Sequence, residues 1–272
     1  MPLYVVATPI GNLEDLTKRA ERVLRECDRV LAEDTRRTLA LLTHLGLKKP
    51  LDRLDEHARE ADITRAVSFL LEGKSLCLVS DAGTPLVSDP GATLVRAAKA
   101  AGVPIVPIPG ASAVMAALVL AGAAGPFRFM GFLPRSGSER SDALSKAATE
   151  PDVVVFFEAP GRTRETLGEL AALTPERRVT VTRELTKLHE EALEGTLEAL
   201  AADDAELRGE ITIVLHAYAR AATESTDADI DRWIDEELAR GTPVKKLADI
   251  VAARGGRSRR DTYARALERK GR

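Results

Sequence analysis

The chain contains 272 residues, of which 44% are hydrophobic and 30% are charged, and its formal net charge is −3. This balance is typical of a globular protein in water, and the length is sufficient for two domains. The longest apolar stretch, residues 113–121, is too short to span a bilayer, which argues against a membrane protein. No basic segment precedes an apolar run at the N-terminus, so we expect no signal peptide and a cytoplasmic protein.

The cysteine content indicates neither a metal site nor a disulfide framework. Cys27 and Cys77 each lie in or beside an apolar segment, and the sequence contains no C-x-x-C motif or His/Cys cluster. We therefore expect no metal, and two buried thiols in a reducing compartment.

Strand-like and helix-like segments alternate through the first 120 residues. In chain order, the sequence predicts elements over residues 3–7, 13–26, 29–32, 35–45, 59–71, 75–80, 92–101, 105–106 and 111–120. Such alternation is typical of βαβ units and predicts a largely parallel sheet. A Gly/Ala/Pro cluster at 122–126 then predicts the end of a first α/β domain, residues 1–123.

A second α/β domain is predicted over residues 127–220. Its strand-like and helix-like segments cover residues 128–131, 138–148, 153–157, 164–173, 179–182, 190–194, 197–201 and 211–215. The close pair at 179–183 and 190–194 is typical of a hairpin or of adjacent strands. A small, polar stretch at 221–227 is interpreted as a linker.

The C-terminal segment, residues 227–272, is predicted to be a small helical region with a basic charge. Its helix-like pieces cover residues 229–239, 244–253 and 259–269. Residues 241–272 contain ten Lys/Arg and three Asp/Glu, a net charge of +7, which leaves −10 for the remainder of the chain. A basic segment on an acidic protein favours a polyanionic partner, although a solvated helical face would also explain it.

Four loops rich in small residues each join the end of a predicted strand to the start of a helix. The longest reads SDAGTPLVSDPG at residues 80–91, and the others cover residues 8–12, 107–113 and 158–162. In open α/β sheets, ligands bind at the carboxyl ends of the strands, so we expect these loops to border one crevice. None of the loops contains G-x-G-x-x-G or G-x-x-x-x-G-K-[ST], which argues against a Rossmann dinucleotide site and a P-loop.

Charged side chains gather at another strand-to-helix junction, which reads EDTRR at residues 33–37. Asp34 or Thr35 could simply cap the helix. Capping does not account for two acidic residues beside two arginines, a combination that favours contact with a phosphate and a polar substrate group. The candidate catalytic residues are Asp34, which we place first, Glu33, and His57 as the alternative base.

Seven motifs, in order along the chain, resemble those of the ribosomal RNA small subunit methyltransferase I family. They read TPIGNLED at 8–15, EDTR at 33–36, SDAGTPLVSDPG at 80–91, PGASA at 109–113, GFLP at 131–134, FEAP at 157–160 and RELTK at 183–187. The basic C-terminal segment fits the same family. Two places depart from its pattern: Ala58 and Arg59 stand where the family usually has Asn and Glu, and Gly161 stands where it usually has His.

The resemblance implies an α/β fold of the tetrapyrrole-methylase-like (class III methyltransferase) type, in which two α/β domains bind S-adenosylmethionine in the cleft between them. It implies 2′-O-methylation of a cytidine in the decoding region of 16S rRNA, position 1402 in the usual rRNA numbering. We accordingly expect 16S rRNA as the partner, within the 30S subunit, and a homodimer without a metal cofactor.

The converging loops and the second domain together predict one cofactor site. Its expected residues are Pro9, Gly11, Asp81, Ala82, Gly83, Thr84, Pro85, Val87, Ser112, Ala113, Phe157, Leu185, Ile211 and Thr212. The residues expected to contact RNA are Arg36, Arg37, Arg135, Lys245, Lys246, Arg257, Arg259 and Arg260.

Two alternatives stay open at this point. Corrin and porphyrin methyltransferases share the fold and the cofactor, but their N-terminal loop is usually richer in glycine than residues 8–12, and they have no need for a basic tail. A non-catalytic, RNA-binding assembly factor is the other alternative, and the presence of all four cleft loops argues against it.

Overall fold

The computed structural model describes residues 1–55, 57–205, 207–218, 227–255 and 258–270. The chain divides into two compact units, Met1–Ala217 and Tyr218–Arg272. The larger unit contains two five-stranded sheets, and the boundary predicted between them, at residues 123–127, stays a prediction. Within the described ranges, the helices lack the combination of length and apolarity that a bilayer crossing requires.

The first sheet is formed entirely by parallel strands. Its strands are β1 (Leu3–Val6), β2 (Arg29–Ala32), β3 (Leu51–Arg53), β4 (Leu76–Val79) and β5 (Ile105–Ile108). Their order across the sheet is β3-β2-β4-β1-β5. The helices that connect them are α1 (Lys18–Glu26), α2 (Thr35–His44), α3 (Glu60–Leu71), α4 (Ala92–Ala100) and α5 (Ala113–Leu120). The parallel sheet that the alternating pattern predicts is confirmed.

Apolar side chains of the first sheet pack on both of its faces, which is why its central strands are continuous hydrophobic runs. The structure differs from the sequence-based expectation at two places. The single helix predicted over residues 13–26 is a short 3-10 turn, Leu13–Asp15, followed by α1, because the Thr17 hydroxyl caps α1 by accepting a hydrogen bond from the Ala20 amide (3.1 Å). Strand β3 was not predicted, because it has three residues and two of them are charged.

The second sheet mixes parallel and antiparallel pairs. Its strands are β6 (Phe127–Phe132), β7 (Val153–Glu158), β8 (Arg178–Arg183), β9 (Glu191–Thr196) and β10 (Ile211–Leu215), in the order β6-β7-β10-β8-β9. The helices are α6 (Gly137–Thr149), α7 (Pro160–Ala171) and α8 (Leu197–Ala201). Strands β8 and β9 pair antiparallel, which confirms the predicted adjacency.

The topology gathers the loops of each sheet at one edge. Strands β1, β2, β4 and β5 run in the same direction, so their carboxyl ends share an edge. In the second sheet, Ile211 at the start of β10 pairs with Glu158 at the end of β7 and with Arg183 at the end of β8. The segments that follow β7 and β8, and the one that precedes β10, therefore also lie side by side.

The smaller unit consists of α9 (Asp227–Ala239), α10 (Val244–Gly255) and α11 (Arg259–Lys270). Its core is formed by Ile230, Ile234, Leu247, Val251 and Ala266. Acidic residues of α9 pair with basic residues of α11: Arg265 donates to Asp231 (2.6 Å) and Arg269 bonds Asp235. Counted over residues 218–272, the charge is +3 rather than +7, because α9 supplies carboxylates that the last 32 residues lack.

Candidate active site

A cavity of about 420 Å³ lies where loops of both sheets meet. This volume is within the range of small-molecule sites, and the lining combines apolar residues with a few charged groups. The first sheet contributes Ile10, Glu33, Arg37, Asp81, Ala82, Gly83, Thr84, Val87, Ser88, Asp89, Ser112, Ala113 and Val114. The second sheet and its loops contribute Phe132, Phe157, Glu158, Ala159, Pro160, Gly209, Glu210, Ile211 and Thr212. We call this the first cavity.

Hydrogen bonds between loops hold the first-sheet side of the cavity in place. Thr8 and Gly83 exchange two backbone hydrogen bonds, of 2.9 and 3.0 Å. The buried Thr8 hydroxyl donates to the Ser80 carbonyl (3.1 Å), and the Ser80 hydroxyl donates to the Gly83 carbonyl (2.9 Å). The Thr84 hydroxyl reaches the next loop, at the Ala111 carbonyl (3.3 Å). The cavity wall is therefore preorganised by the protein itself.

The 80–91 loop also contains backbone strain. Leu86 and Ser88 have φ angles of 73° and 64°, a region that residues other than glycine rarely occupy. Each such residue costs on the order of 1–3 kcal/mol and persists only where the surroundings impose it. Strain of this kind concentrates at functional sites, which agrees with the position of Ser88 and Asp89 in the cavity wall.

Glu158, at the end of β7, presents a buried carboxylate on the opposite wall. It accepts hydrogen bonds from the Ala159 amide (2.9 Å) and from the Thr166 hydroxyl (2.7 Å). Arg140 and Arg162 lie 3.7 and 3.5 Å from the same carboxylate. Burial of a carboxylate is costly unless it is paired in this way. The two arginines compensate the charge of Glu158, and its hydrogen bonds fix its position in the wall.

The loop after β8 ties the second sheet to the first. The Thr186 hydroxyl accepts a hydrogen bond from the Asn12 amide (3.0 Å). Gly11 lies so close to this loop that a Cβ there would overlap the Lys187 side chain and approach the Leu185 carbonyl to 2.9 Å. Close approach of this kind requires glycine. The 184–187 loop includes two further strained residues, Glu184 (φ 52°) and Thr186 (φ 65°).

A network of salt bridges and hydrogen bonds connects the 184–187 loop to the residues that precede β10. Glu184 accepts hydrogen bonds from Lys187 (2.9 Å) and from the Glu210 amide (2.9 Å), and these donors lower the pKa of its carboxyl. Lys187 also binds the Glu210 carboxylate at 3.0 Å. Gly209 has a φ of 89°, and a side chain there would overlap Glu184. Glu210 and Gly209 are thereby positioned at the cavity.

A second cavity, of about 610 Å³, adjoins the first. Its lining is entirely polar or charged: Glu33, Asp34, Thr35, Arg36, Arg53, Asp55, His57 and Asp81. Glu33 and Asp81 line both cavities. A group bound in one cavity therefore shares these two carboxylates with a group bound in the other.

Asp34 caps the helix, which is one of the two interpretations that the sequence left open, and it also pairs with Arg36. Its carboxylate caps α2 by accepting a hydrogen bond from the Arg36 amide (2.8 Å), and it binds the Arg36 guanidinium through Nε (3.1 Å) and Nη2 (2.7 Å). These contacts hold the pKa of Asp34 well below its usual range. A carboxylate with so low a pKa is a weak base, which favours an orienting role for Asp34 over proton acceptance.

Asp81 connects the 33–37 cluster to the 80–91 loop. Its carboxylate accepts a hydrogen bond from the Asp34 amide (2.9 Å) and lies 3.8 Å from the Arg37 guanidinium. Burial and the neighbouring Glu33 raise the pKa of Asp89 to about 7, whereas the pKa of Asp34 is lowered. The two cavities thus contain carboxylates of very different basicity.

The first cavity brings together most of the predicted cofactor residues. Asp81, Ala82, Gly83, Thr84, Val87, Ser112, Ala113, Phe157, Ile211 and Thr212 all line it. The other four lie around it: Pro9 lines a smaller neighbouring cavity, Gly11 packs on the 184–187 loop, and Pro85 and Leu185 are buried. Their roles as cofactor contacts stay predictions.

The predicted RNA contacts lie in three places. Arg36 and Arg37 lie at the two cavities, and Arg135 is exposed after β6. Lys245, Lys246, Arg259 and Arg260 are exposed in the smaller unit, where Arg259 bonds Asp249, and Arg257 lies outside the described residues.

Sequence reasoning missed several cavity residues. On the second-sheet side these are Phe132, Glu158, Gly209 and Glu210, and on the first-sheet side Arg53, Asp55 and Asp89. Glu158 and Asp89 could have been predicted from the motifs, because each lies inside a loop that the sequence analysis identifies. Gly209 had no local signal, since its need for glycine arises from Glu184, 25 positions earlier in the chain.

Comparison with protein-family models identifies both parts of the chain. Residues 2–201 match the model described as tetrapyrrole (corrin/porphyrin) methylases. Residues 224–270 match the model described as the RsmI C-terminal HTH domain.

Solved structures agree with this fold. The methyltransferase CobJ superposes with a TM-score of 0.62 and 20% identity, covering 80% of this chain and 95% of its own. Uroporphyrin-III C-methyl transferase from Thermus thermophilus, complexed with S-adenyl homocysteine, superposes with a TM-score of 0.58 and 22% identity, covering 79% of this chain and 97% of its own. At these identities the likeness concerns the fold, and it confirms the predicted class.

Sequence relatives are much closer. The ribosomal RNA small subunit methyltransferase I of Xylella fastidiosa is 43% identical over 259 residues, 92% of this chain and 95% of that protein. Its counterpart from Pseudomonas aeruginosa is 41% identical over 276 residues, 99% of this chain and 98% of that protein. The resemblance seen in the motifs is confirmed, and the chain belongs to the ribosomal RNA small subunit methyltransferase I family.

Proposed function

We propose that this protein transfers the methyl group of S-adenosylmethionine to the ribose 2′-hydroxyl of a cytidine in 16S rRNA, position 1402 in the usual rRNA numbering. The observation that carries the proposal is the pair of adjoining cavities that share Glu33 and Asp81. One is partly apolar and the other is fully polar, as a methyl donor and a nucleotide require.

The first cavity fits S-adenosylmethionine in size and in chemistry. Small and apolar side chains, such as Ala82, Ala113 and Phe157, leave room for an adenosine. The carboxylate of Asp81 suits a cofactor that carries positive charge. When bound, the cofactor supplies an electrophilic methyl group on a sulfonium.

The second cavity fits the target nucleotide. Arg36 and Arg53 can bind phosphates, and carboxylates such as Asp55 can accept a hydrogen bond from a cytosine amino group. Arg36 is already oriented by its two bonds to Asp34. A nucleotide held here would place its ribose beside Glu33 and Asp81, at the boundary with the first cavity.

Alignment of the reacting atoms is the main task of such a site. A ribose hydroxyl is a poor nucleophile, and positioning alone can supply roughly 7–11 kcal/mol of the barrier reduction. The loop-to-loop hydrogen bonds of Thr8, Ser80 and Thr84 fix one wall, and the paired Glu158 fixes the other. The residues of this chain thus hold donor and acceptor with little reorganisation.

The smaller unit supplies an additional surface for RNA. Lys245, Lys246 and Arg260 are exposed, and no ion pair to them occurs among the residues that the structure describes. Arg265 and Arg269, by contrast, are bound to carboxylates of α9. We infer that the first three residues, rather than the basic segment as a whole, contact phosphates.

Salt dependence tests this division of the basic residues. Replacing Lys245, Lys246 and Arg260 together by Gln should reduce the slope of log K against log salt for RNA binding by about 2, because each lost phosphate contact removes roughly 0.7. The matched control, Arg265→Gln with Arg269→Gln, should lower the melting temperature and leave the slope unchanged. Equal slopes in the triple variant and the wild type would exclude this surface.

A homodimer is the assembly that the surface of α5 favours. Met115, Val119 and Leu120 are 53%, 78% and 38% exposed on a helix that also lines the first cavity. A contiguous exposed apolar face is typical of an interface. Sedimentation of the wild type and of Val119→Asp tests it: the wild type should be a dimer and the variant a monomer, and a monomeric wild type would contradict it.

Product analysis tests the function itself. Labelled S-adenosylmethionine should methylate 30S particles that lack the modification, and digestion should release 2′-O-methylcytidine. Naked 16S rRNA in a parallel reaction shows whether the assembled particle, which we propose as the substrate, is needed. Methylation of a corrin or porphyrin, or no transfer at all, would support the alternatives.

Because the proposed substrate is ribosomal, we propose that the reaction takes place in the cytoplasm.

A further inference from the structure

Asp89 lines the first cavity from the strained part of the 80–91 loop. It follows the strained residues Leu86 and Ser88 and precedes Gly91, where α4 begins with the N-cap at φ 114°. Gly131 on β6 packs close to Ser88: a Cβ added at position 131 would lie 3.1 Å from the Ser88 Oγ. The loop therefore places Asp89 in the cavity wall at the cost of unfavourable φ angles at Leu86 and Ser88.

Three of the four other carboxylates that line this cavity bind cationic or amide partners, and the fourth, Glu33, also lines the second cavity. Asp81 binds the Asp34 amide and lies near Arg37. On the second-sheet side, Glu158 lies between Arg140 and Arg162. Also on that side, Glu210 binds Lys187.

Asp89 meets a different environment. Its electrostatic neighbours are the Ser80 hydroxyl and the negative charges of Glu33 and Asp81. Arg37 is the cation that lines the same cavity from α2, and it lies 3.8 Å from Asp81. Burial, together with Glu33, raises the pKa of Asp89 to about 7, although the nearby Ser80 hydroxyl opposes the shift. A general base works best when its pKa is close to the working pH.

We propose that Asp89 accepts the proton of the attacking ribose hydroxyl, an inference that rests on the proposed 2′-O-methylation. The ribose oxygen forms the new O–C bond as the C–S bond of the sulfonium breaks, the electron pair of that bond remains on sulfur, and the hydroxyl proton passes to the Asp89 carboxylate. The products are a 2′-O-methyl ribose, a neutral thioether and a protonated Asp89, which returns its proton to water.

The pH dependence of single-turnover methyl transfer to 30S particles, at saturating S-adenosylmethionine, tests the proposal. For the wild type, the rate should fall about tenfold per pH unit on the acid side of an apparent pKa at or below about 7. Asp89→Asn should remove this limb and lower the rate at pH 8 by about 10²-fold or more. Asp142→Asn, a change at an exposed carboxylate on α6 that lines neither cavity, is the matched control and should behave as the wild type.

Calorimetry separates proton transfer from simple attraction of a cationic cofactor. In the proposal, Asp89→Asn binds S-adenosylmethionine within about threefold of the wild type, a difference of under 1 kcal/mol. A loss of cofactor affinity that accounts for the whole loss of rate would overturn it, as would an acid limb that persists in Asp89→Asn. Should that variant not fold, Asp89→Glu replaces it: a shifted midpoint of the limb supports the proposal, and an unchanged midpoint contradicts it.

The product of the wild-type enzyme distinguishes failure of this inference from failure of the proposed function. Methyl groups on the cytosine base, rather than on the ribose, would reject both. Ribose methylation by the wild type, together with an unaltered pH profile in Asp89→Asn, would reject the role of Asp89 alone.

Discussion

The two adjoining cavities differ in almost every property except their two shared carboxylates. The first is partly apolar, receives residues from both sheets, and contains a carboxyl group, Asp89, whose pKa is raised to about 7. The second is entirely polar, is built from the first sheet alone, and contains Asp34, whose pKa is lowered by Arg36. The two carboxylates thus differ in basicity because Asp89 is half-buried beside like charges, whereas Asp34 is paired with a cation.

This difference shows how one edge of a fold separates two tasks. A partly apolar cavity binds a small cofactor and perturbs acids toward the neutral form, whereas a polar cavity with arginines holds a phosphodiester in a defined orientation. Methyl transfer requires both, and it requires them within bonding distance. Glu33 and Asp81 line both cavities, so in the proposed function the two groups meet beside them.

Filling the first cavity should have the largest effect. Ala113→Trp places an indole in the space at the start of α5, so the affinity for S-adenosylmethionine should fall by at least about 10³-fold, or 4 kcal/mol. Ala100→Trp, at the exposed end of α4, is the control and should bind normally. Calorimetry measures both, and normal cofactor affinity in Ala113→Trp would remove the first cavity from consideration.

Removing the charge of Asp34 should affect the second cavity alone. Asn caps a helix as well as Asp does, but it cannot hold the Arg36 guanidinium by an ion pair. We expect stability and cofactor affinity to be retained and methyl transfer to fall by about 10²-fold, the scale of a misplaced substrate group.

Asp62→Asn provides the matched control for Asp34→Asn. Asp62 binds Arg59 and Arg65 near the start of α3 and lines neither of the two cavities, so its loss should leave turnover unchanged. Wild-type turnover on 30S particles by a folded Asp34→Asn protein would return Asp34 to a purely capping role.

The close contact between the two sheets should be sensitive to a single methyl group. Gly11→Ala forces a Cβ against Lys187 and the Leu185 carbonyl, and overpacking of this kind costs about 1–3 kcal/mol. Gly161→Ala, on α7, meets open space and should be neutral or slightly stabilising. Chemical denaturation measures the free energy of unfolding of both variants. Equal values for Gly11→Ala and Gly161→Ala would show that the structure around Gly11 accommodates the methyl group without loss of stability.

Asp89 should also leave a smaller signature in the pH dependence of stability. Its pKa is about 7 in the folded protein and near 3.8 in the unfolded chain, so its contribution to stability is fully present below about 3.8 and is lost as the pH rises through 7. Asp89→Asn should therefore melt about 2–4 °C above the wild type at pH 8, with the difference shrinking toward pH 4. A difference independent of pH would contradict the perturbed pKa.

Much of the first cavity could be predicted because its loops follow recognisable strands. Small residues at the ends of β1, β4 and β5 signal a crevice, and parallel topology brings those ends together without further information. Only part of the lining of the second cavity could be predicted from the sequence. Arg53 and Asp55 come from the end of β3, which has too few apolar residues to be recognised as a strand.

Other features depend on contacts between distant parts of the chain. The need for glycine at position 209 arises from Glu184, and the basicity of Asp89 arises from burial beside Glu33. The charge of the C-terminal unit was overestimated for a similar reason, since a count from residue 241 omits the carboxylates of α9 that pair with Arg265 and Arg269. Local patterns contain none of this information.

The hydrogen bond from Asn12 to Thr186 joins positions separated by 174 residues. During synthesis at roughly 5–20 residues per second, the amino-terminal loop waits many seconds before its partner leaves the ribosome. The wall of the first cavity at Ile211 and Thr212 is completed later still. A nascent chain that contains only the first sheet therefore lacks one wall of the first cavity. The cavity in which we propose that S-adenosylmethionine binds is complete only when more than three quarters of the 272 residues have been translated.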